Sequence, residues 1–189
     1  MDSYATHQLV LAEVLKRVSK PVLELGAGDF STELIHNHGG KIITIDDDEQ
    51  WIKRYVHLKT ADHKFFLFDK VQIYKFYEKE EEDWGLVFID NGTWEARNGA
   101  VKKYKDVADY LILHDCDYYP TMSTFGKVIR PMNFKARDMG KRTYDDVFKY
   151  WVEFFVQGWK SQSPPTLVGS NKICLDDLFV EGMVVCSRK

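Results

Sequence analysis

Short continuous apolar runs alternate with amphipathic stretches along most of this chain. Val22–Leu25 (V-L-E-L), Lys41–Asp46 (K-I-I-T-I-D), Lys64–Phe68 (K-F-F-L-F), Gly85–Ile89 (G-L-V-F-I) and Tyr110–Leu113 (Y-L-I-L) have the length and the β-branched or aromatic character of buried strands. Between them lie helical patterns. Residues 3–18 place Leu11, Val14, Leu15 and Val18 at helical spacing, a short helix runs from Thr32 to about Asn37 before Gly39-Gly40, Glu49–Leu58 packs Trp51, Ile52 and Tyr55, and another helix runs from Trp94 to about Ala108. Residues 71–83 add a helical apolar set (Val71, Tyr74, Tyr77) that leads into a solvated charge run, Glu78–Asp83. Asp145–Gln157 reads as an amphipathic helix carrying Val147, Phe148, Trp151, Phe154 and Phe155, and Pro164–Val168 and Met183–Cys186 read as two closing strands. Strands that alternate with helices predict an α/β fold with a mostly parallel, doubly wound sheet, right-handed crossovers and helices on both faces.

The loop after the first strand carries the most specific chemistry. Val22 to Thr32 reads V-L-E-L-G-A-G-D-F-S-T, a strand running through Gly26, Ala27 and Gly28 into a helix that starts near Ser31 and Thr32. Glycines let such a loop turn sharply and bring backbone N–H groups toward a ligand at a helix N-terminus. They also serve simply to turn a chain, so the pair alone decides little. Glu24 at the end of the strand would repel a pyrophosphate and suits a ligand that carries a cation. The dinucleotide fingerprint G-x-G-x-x-G has its third glycine replaced by Ser31. These features favour S-adenosylmethionine (SAM), a sulfonium with an ammonium group, over NAD. Asp46 ends the second strand 20 positions after Gly26, the interval at which Rossmann-like sheets place a carboxylate over ribose hydroxyls, and Asp47 and Asp48 follow it. Asp69, Asp90 and the His114-Asp115-Cys116-Asp117 run end the next three strands, so the acids converge on the crevice outside the strands' carboxyl ends.

Composition narrows the class. The 189 residues carry 44% hydrophobic side chains, enough for one domain over 1–189, and the net charge of −3 gives no global pull toward nucleic acid or acidic membranes. There is no run of about 18 apolar residues and no basic-then-apolar leader, so no membrane span or signal peptide is expected. Cys116, Cys174 and Cys186 lack C-x-x-C spacing and read as reduced thiols of a cytoplasmic protein. Residues 119–142 lack periodicity and place six basic side chains against Asp138 alone; a lid over the crevice is expected at 119–145, its charge suiting an acceptor with phosphate or carboxylate, or else simply a solvated loop.

The chain resembles the class I SAM-dependent methyltransferases over roughly residues 20–117. Glu24, Gly26 and Gly28 look like that family's first motif, Asp46 matches its ribose-binding acid and Asp69 the residue bordering the adenine. The resemblance implies a Rossmann-like seven-stranded sheet completed by an antiparallel hairpin of the last two strands. The segment I-D-N-G-T-W-E-A, leading to Y-L-I-L-H-D, is similar to a pattern in small-molecule and sugar O-methyltransferases, I-D-G-x-H-x-Y-E before a strand ending in H-D or D-D. It departs from that pattern at Trp94, which replaces a histidine, and at Ala108-Asp109, which replaces a Gly-Gly.

Methyl transfer to an alcohol needs alignment with the S–CH3 bond and a base for the hydroxyl proton. His114 is the candidate base, or else a loop-bonded histidine, with Asp90 and Asp115 beside it. Asp90, Asp115 and Asp117 form a candidate oxygen-rich site for Mg2+ or another divalent cation, as in some relatives of that branch; equally, Asp115 and Asp117 cap the loop. The expected function is O-methylation of a small polar acceptor, a sugar, glycan or nucleotide sugar. A methyltransferase acting on nucleic acid is disfavoured by I-D-N-G in place of a Pro-Pro-aromatic element, and a SAM-binding protein without catalysis by the acid-rich crevice. Oligomeric state is not legible.

Overall fold

The computed structural model describes residues 5–69, 83–116, 127–128, 142–156 and 165–188. Five parallel strands form the centre of the sheet: β1 (Val22–Leu25), β2 (Ile42–Asp46), β3 (His63–Leu67), β4 (Trp84–Ile89) and β5 (Ala108–Leu113). Each matches an apolar run of the sequence. Among the described residues, four α-helices connect or precede them: α1 (Gln8–Leu15), α2 (Thr32–His38), α3 (Glu49–Tyr55) and α4 (Trp94–Tyr104). A two-residue ribbon, β6 (Lys127–Val128) with β7 (Arg142–Thr143), follows, and β8 (Tyr150–Val156), β9 (Thr166–Ser170) and β10 (Met183–Arg188) complete the main sheet. The order across it is β10-β8-β9-β5-β4-β1-β2-β3.

Alternation along the strands divides the core in two. Leu86, Phe88 and Ile112 pack with Val10, Leu11, Val14 and Leu15 of α1 and Ile35 of α2, whereas Val87, Ile89, Leu111 and Leu113 pack with Ala100, Val101 and Tyr104 of α4. A sheet apolar on both faces must be covered on both, and the helices do that. Among the described residues, no helix is long and apolar enough to cross a membrane.

Two expectations are corrected here. Asp145–Gln157 is not a helix, because Tyr150–Val156 is a sheet strand. Its apolar stripe fits the helical period, but Val152 and Phe154 face one core while Trp151 faces the other, so the run is apolar because both faces are buried. Aromatic and β-branched content then favours the strand. The closing hairpin is therefore β8 with β9, paired antiparallel, and β10 lies outside β8, antiparallel to it. Among the described residues the sheet has eight strands where seven were expected. The helical set predicted in 71–83 lies almost wholly outside the described residues, as does most of the expected lid.

Gly169 marks where β9 lies closest to the segment before β8. A Cβ there would fall 2.7 Å from ring carbons of Phe148, which is buried. Gly169→Ala is therefore expected to destabilise the fold by about 1–3 kcal/mol in urea unfolding. Unchanged stability would show that this packing is wrong.

Candidate ligand-binding cleft

From β1 the chain proceeds outward through β2 and β3, while β4 and β5 extend the sheet the other way, so the order reverses between β1 and β4. Crevices form at such a reversal, beyond the strands' carboxyl ends. Here the crevice is a cavity of about 640 Å³ lined by the glycine loop, Asp46–Asp48, Trp51, Asp90–Gly92, His114, Asp115 and His7.

Glu24 shapes this cleft from behind and does not line it. Its side chain is fully buried and accepts hydrogen bonds from Ser31 Oγ (2.7 Å), Thr32 Oγ1 (3.0 Å) and Thr44 Oγ1 (2.7 Å). Ser31 and Thr32 likewise point inward and lie outside the lining. Burial drives the Glu24 carboxyl up to about 7 against the pull of the three hydroxyls. The network continues outward, from Thr44 Oγ1 to His63 Nε2 (2.9 Å) and from His63 Nδ1 to His36 Nδ1 (3.0 Å).

The loop is built differently from the expected backbone cradle. The Gly26 N–H donates to Ile45 O, the Ala27 N–H to Asp46 Oδ2 (2.7 Å) and the Gly28 N–H to Thr32 Oγ1 (2.9 Å), so these three amides are used inside the protein. The demand for glycine at position 26 also comes from the protein: φ is +97°, and a Cβ would lie 2.6 Å from the Asp90 carbonyl carbon. Gly28 has no such neighbour, since its Cβ would meet only Ser31 Oγ at 3.4 Å.

Asp46 is buried at the end of β2. Its Oδ2 accepts from Ala27 and its Oδ1 from the Asp48 N–H, and burial raises its carboxyl to about 6. Asp47 is half-buried in the lining and faces Gly92. Asp69 is exposed and lies outside the lining. Trp51, half-buried in the wall, was read from its spacing only as helix packing.

At the β4–β5 end, Asp90 Oδ1 lies 3.1 Å from His114 Nδ1 and 2.9 Å from Arg97 Nη2. Arg97 also donates to the carbonyls of Asn91, His114 and Asp90, and its Nη1 is 3.6 Å from Asp115 Oδ2. Burial disfavours the Asp90 carboxylate, but His114 and Arg97 outweigh it and hold the group below its ordinary value. Burial opposes the His114 imidazolium, yet Asp90 and Asp115 carry its pKa above the usual 6.5. Burial raises the Asp115 carboxyl; its backbone has φ 56°, a region Asp tolerates better than most residues.

A Mg2+ ion shared by Asp90 and Asp115 does not fit this arrangement, because the Arg97 guanidinium already spans the two carboxylates. Asp117, the third candidate ligand, lies outside the described residues. Sequence reasoning missed Arg97, which offered no signal beyond being a lone arginine in a helix after a strand-end acid. It also missed His7, just before α1, whose ring stands 4.3 Å centroid to centroid from that of His114. Burial first, then His114, lowers the His7 pKa to about 3.

No protein-family model and no curated protein matches this sequence. Solved structures do match in shape. An rRNA methylase from Streptococcus thermophilus superposes with TM-score 0.55 at 13% identity, over 85% of this chain and 92% of that one. The N-methyltransferase NodS from Bradyrhizobium japonicum WM9 gives 0.55 at 17% identity, over 88% and 94%. The chain shares the Rossmann-like fold of these proteins. The bifunctional kinase-methyltransferase WbdD matches with TM-score 0.54 at 17% identity over 93% of this chain, which spans 41% of that longer protein.

The buried carboxyl beneath the loop gives a sign that can be measured. A folded-state pKa raised from 4.5 to about 7 means that the Glu24 contribution to stability is full below pH 4.5 and is lost as pH rises through 7. Relative to wild type, Glu24→Gln is therefore expected to gain on the order of 3 kcal/mol across that interval, whatever its offset at low pH. Urea unfolding at both ends checks it; a difference independent of pH would refute the assignment.

Proposed function

We propose that this protein is a SAM-dependent methyltransferase acting on a hydroxyl of a small, polar, predominantly neutral acceptor such as a sugar or glycan. One observation carries the reading. The cleft is lined by six aspartates and, among the described residues, by no lysine or arginine, while the Gly26, Ala27 and Gly28 amides are turned inward. That surface repels a pyrophosphate and suits a ligand with a sulfonium and an ammonium. NodS, which shares the fold, has been solved with S-adenosylhomocysteine bound.

In this reading Gly26, Ala27, Gly28 and Asp47 border the cofactor and Asp46 lies toward its ribose. Glu24, Ser31 and Thr32 hold the loop and do not touch the ligand. Bound SAM would supply the methyl group, its sulfur leaving with the bonding pair, and His114 would take up the proton of the acceptor hydroxyl. Asp90 orients that imidazole through Nδ1, and Arg97 holds Asp90. The same acidic walls disfavour a nucleotide sugar. An rRNA methylase is among the matching folds, so RNA is the acceptor class to test against sugars, by salt-dependent binding.

Calorimetry with S-adenosylhomocysteine tests the cofactor: binding is expected, and no heat would overturn the reading. Gly28→Ala, which its neighbours tolerate, is expected to weaken that binding with the melting temperature intact. With acceptor present, kcat/KM is expected to rise with pH along a limb above 6.5, because His114 must be neutral to take a proton. Asp90→Asn removes the charge that raises His114, so the limb moves to lower pH; an unmoved limb would remove His114 as base.

A further inference from the structure

We propose that His7, Asp90 and His114 form a binding site for a divalent ion of borderline softness, of the Zn2+ or Co2+ class. The site goes beyond the methyl-transfer reading and does not depend on it. Three separate elements deliver the donors: the residue before α1, the loop after β4 and the turn after β5. Ligand atoms of all three lie within 4.8 Å of one another. His114 Nδ1 and Asp90 Oδ1 are 3.1 Å apart, close to the ~3.4 Å that separates two ligands of a tetrahedral ion bound at about 2.1 Å.

The independent observation is His7 itself. Its side chain is 3% exposed and lines the cleft, yet neither ring nitrogen has a hydrogen-bond partner among the described residues. A buried polar group left unsatisfied is costly, on the order of 1–3 kcal/mol, so such an imidazole calls for a ligand.

The donor set selects the ion. Two imidazoles and one carboxylate match Zn2+ and its neighbours, whereas Mg2+ prefers an oxygen shell. Arg97 Nη2 donates to the same Asp90 Oδ1 that lies 3.1 Å from His114 Nδ1, and so fixes the carboxylate that the ion would share. The cleft leaves room for a further ligand.

The test uses the full chain, stripped with a chelator and titrated with Co2+ by absorption spectroscopy and with Zn2+ by calorimetry, in excess Mg2+. One ion is expected to bind, with a tetrahedral Co2+ spectrum, and His7→Ala is expected to weaken binding about tenfold or more. His38→Ala, which alters an exposed histidine elsewhere, is expected to bind as wild type. Circular dichroism and S-adenosylhomocysteine affinity show whether the His7 variant is folded. Should it not fold, His7→Gln, or a wild-type Co2+ spectrum without nitrogen ligation, decides the question. Failure of wild type to bind below millimolar ion, or equal binding by the His7 variant, overturns the site; absence of S-adenosylhomocysteine binding overturns only the methyltransferase reading.

Discussion

A carboxyl group sealed beneath the first loop organises this molecule. Glu24 sits on the central strand with no exposed surface, so each lone pair it turns inward needs a donor. Those donors come from the start of α2 (Ser31, Thr32) and from β2 (Thr44), and one group thereby fixes strand, loop and neighbouring strand in a single geometry. Thr32 in turn accepts the Gly28 amide, which extends the constraint to the loop backbone. The direction in which the loop faces, and hence what the cleft can hold, follows from this buried contact.

The opposite wall is set by an internal cation. Arg97 reaches from α4 to the ends of β4 and β5, bonding the carbonyls of Asn91, His114 and Asp90 as well as the Asp90 carboxylate. Its charge offsets two aspartates that would otherwise repel each other beside His114. The cleft thus has one end whose acids are balanced by a guanidinium and another, at Asp46–Asp48, where no lysine or arginine among the described residues lines the wall. That asymmetry suits a cationic ligand at the loop end and a neutral one at the His114 end.

Much of this was legible in the sequence. The five parallel strands, the glycine loop, Asp46, Asp90 and His114 all follow from apolar runs and from the residues at their ends, because a strand buried on both faces leaves a period that is hard to mistake. Asp145–Gln157 was misread because a strand covered on both sides and a helix stripe place apolar residues at overlapping positions. Glu24 was placed at its strand end, but whether a side chain points into a cleft or beneath a loop depends on hydroxyls 7 to 20 residues away. His7 and Arg97 act only through partners brought near by folding, and nothing in their local spacing marks them.

The ladder between β10 and β8 shifts register between Val185 and Ser187. A border strand interrupted in this way offers a poor template to an extended segment of another chain, whose own hydrogen bonds would fall out of step at the break. Backbone irregularity alone thus discourages further strand addition at that margin of the sheet.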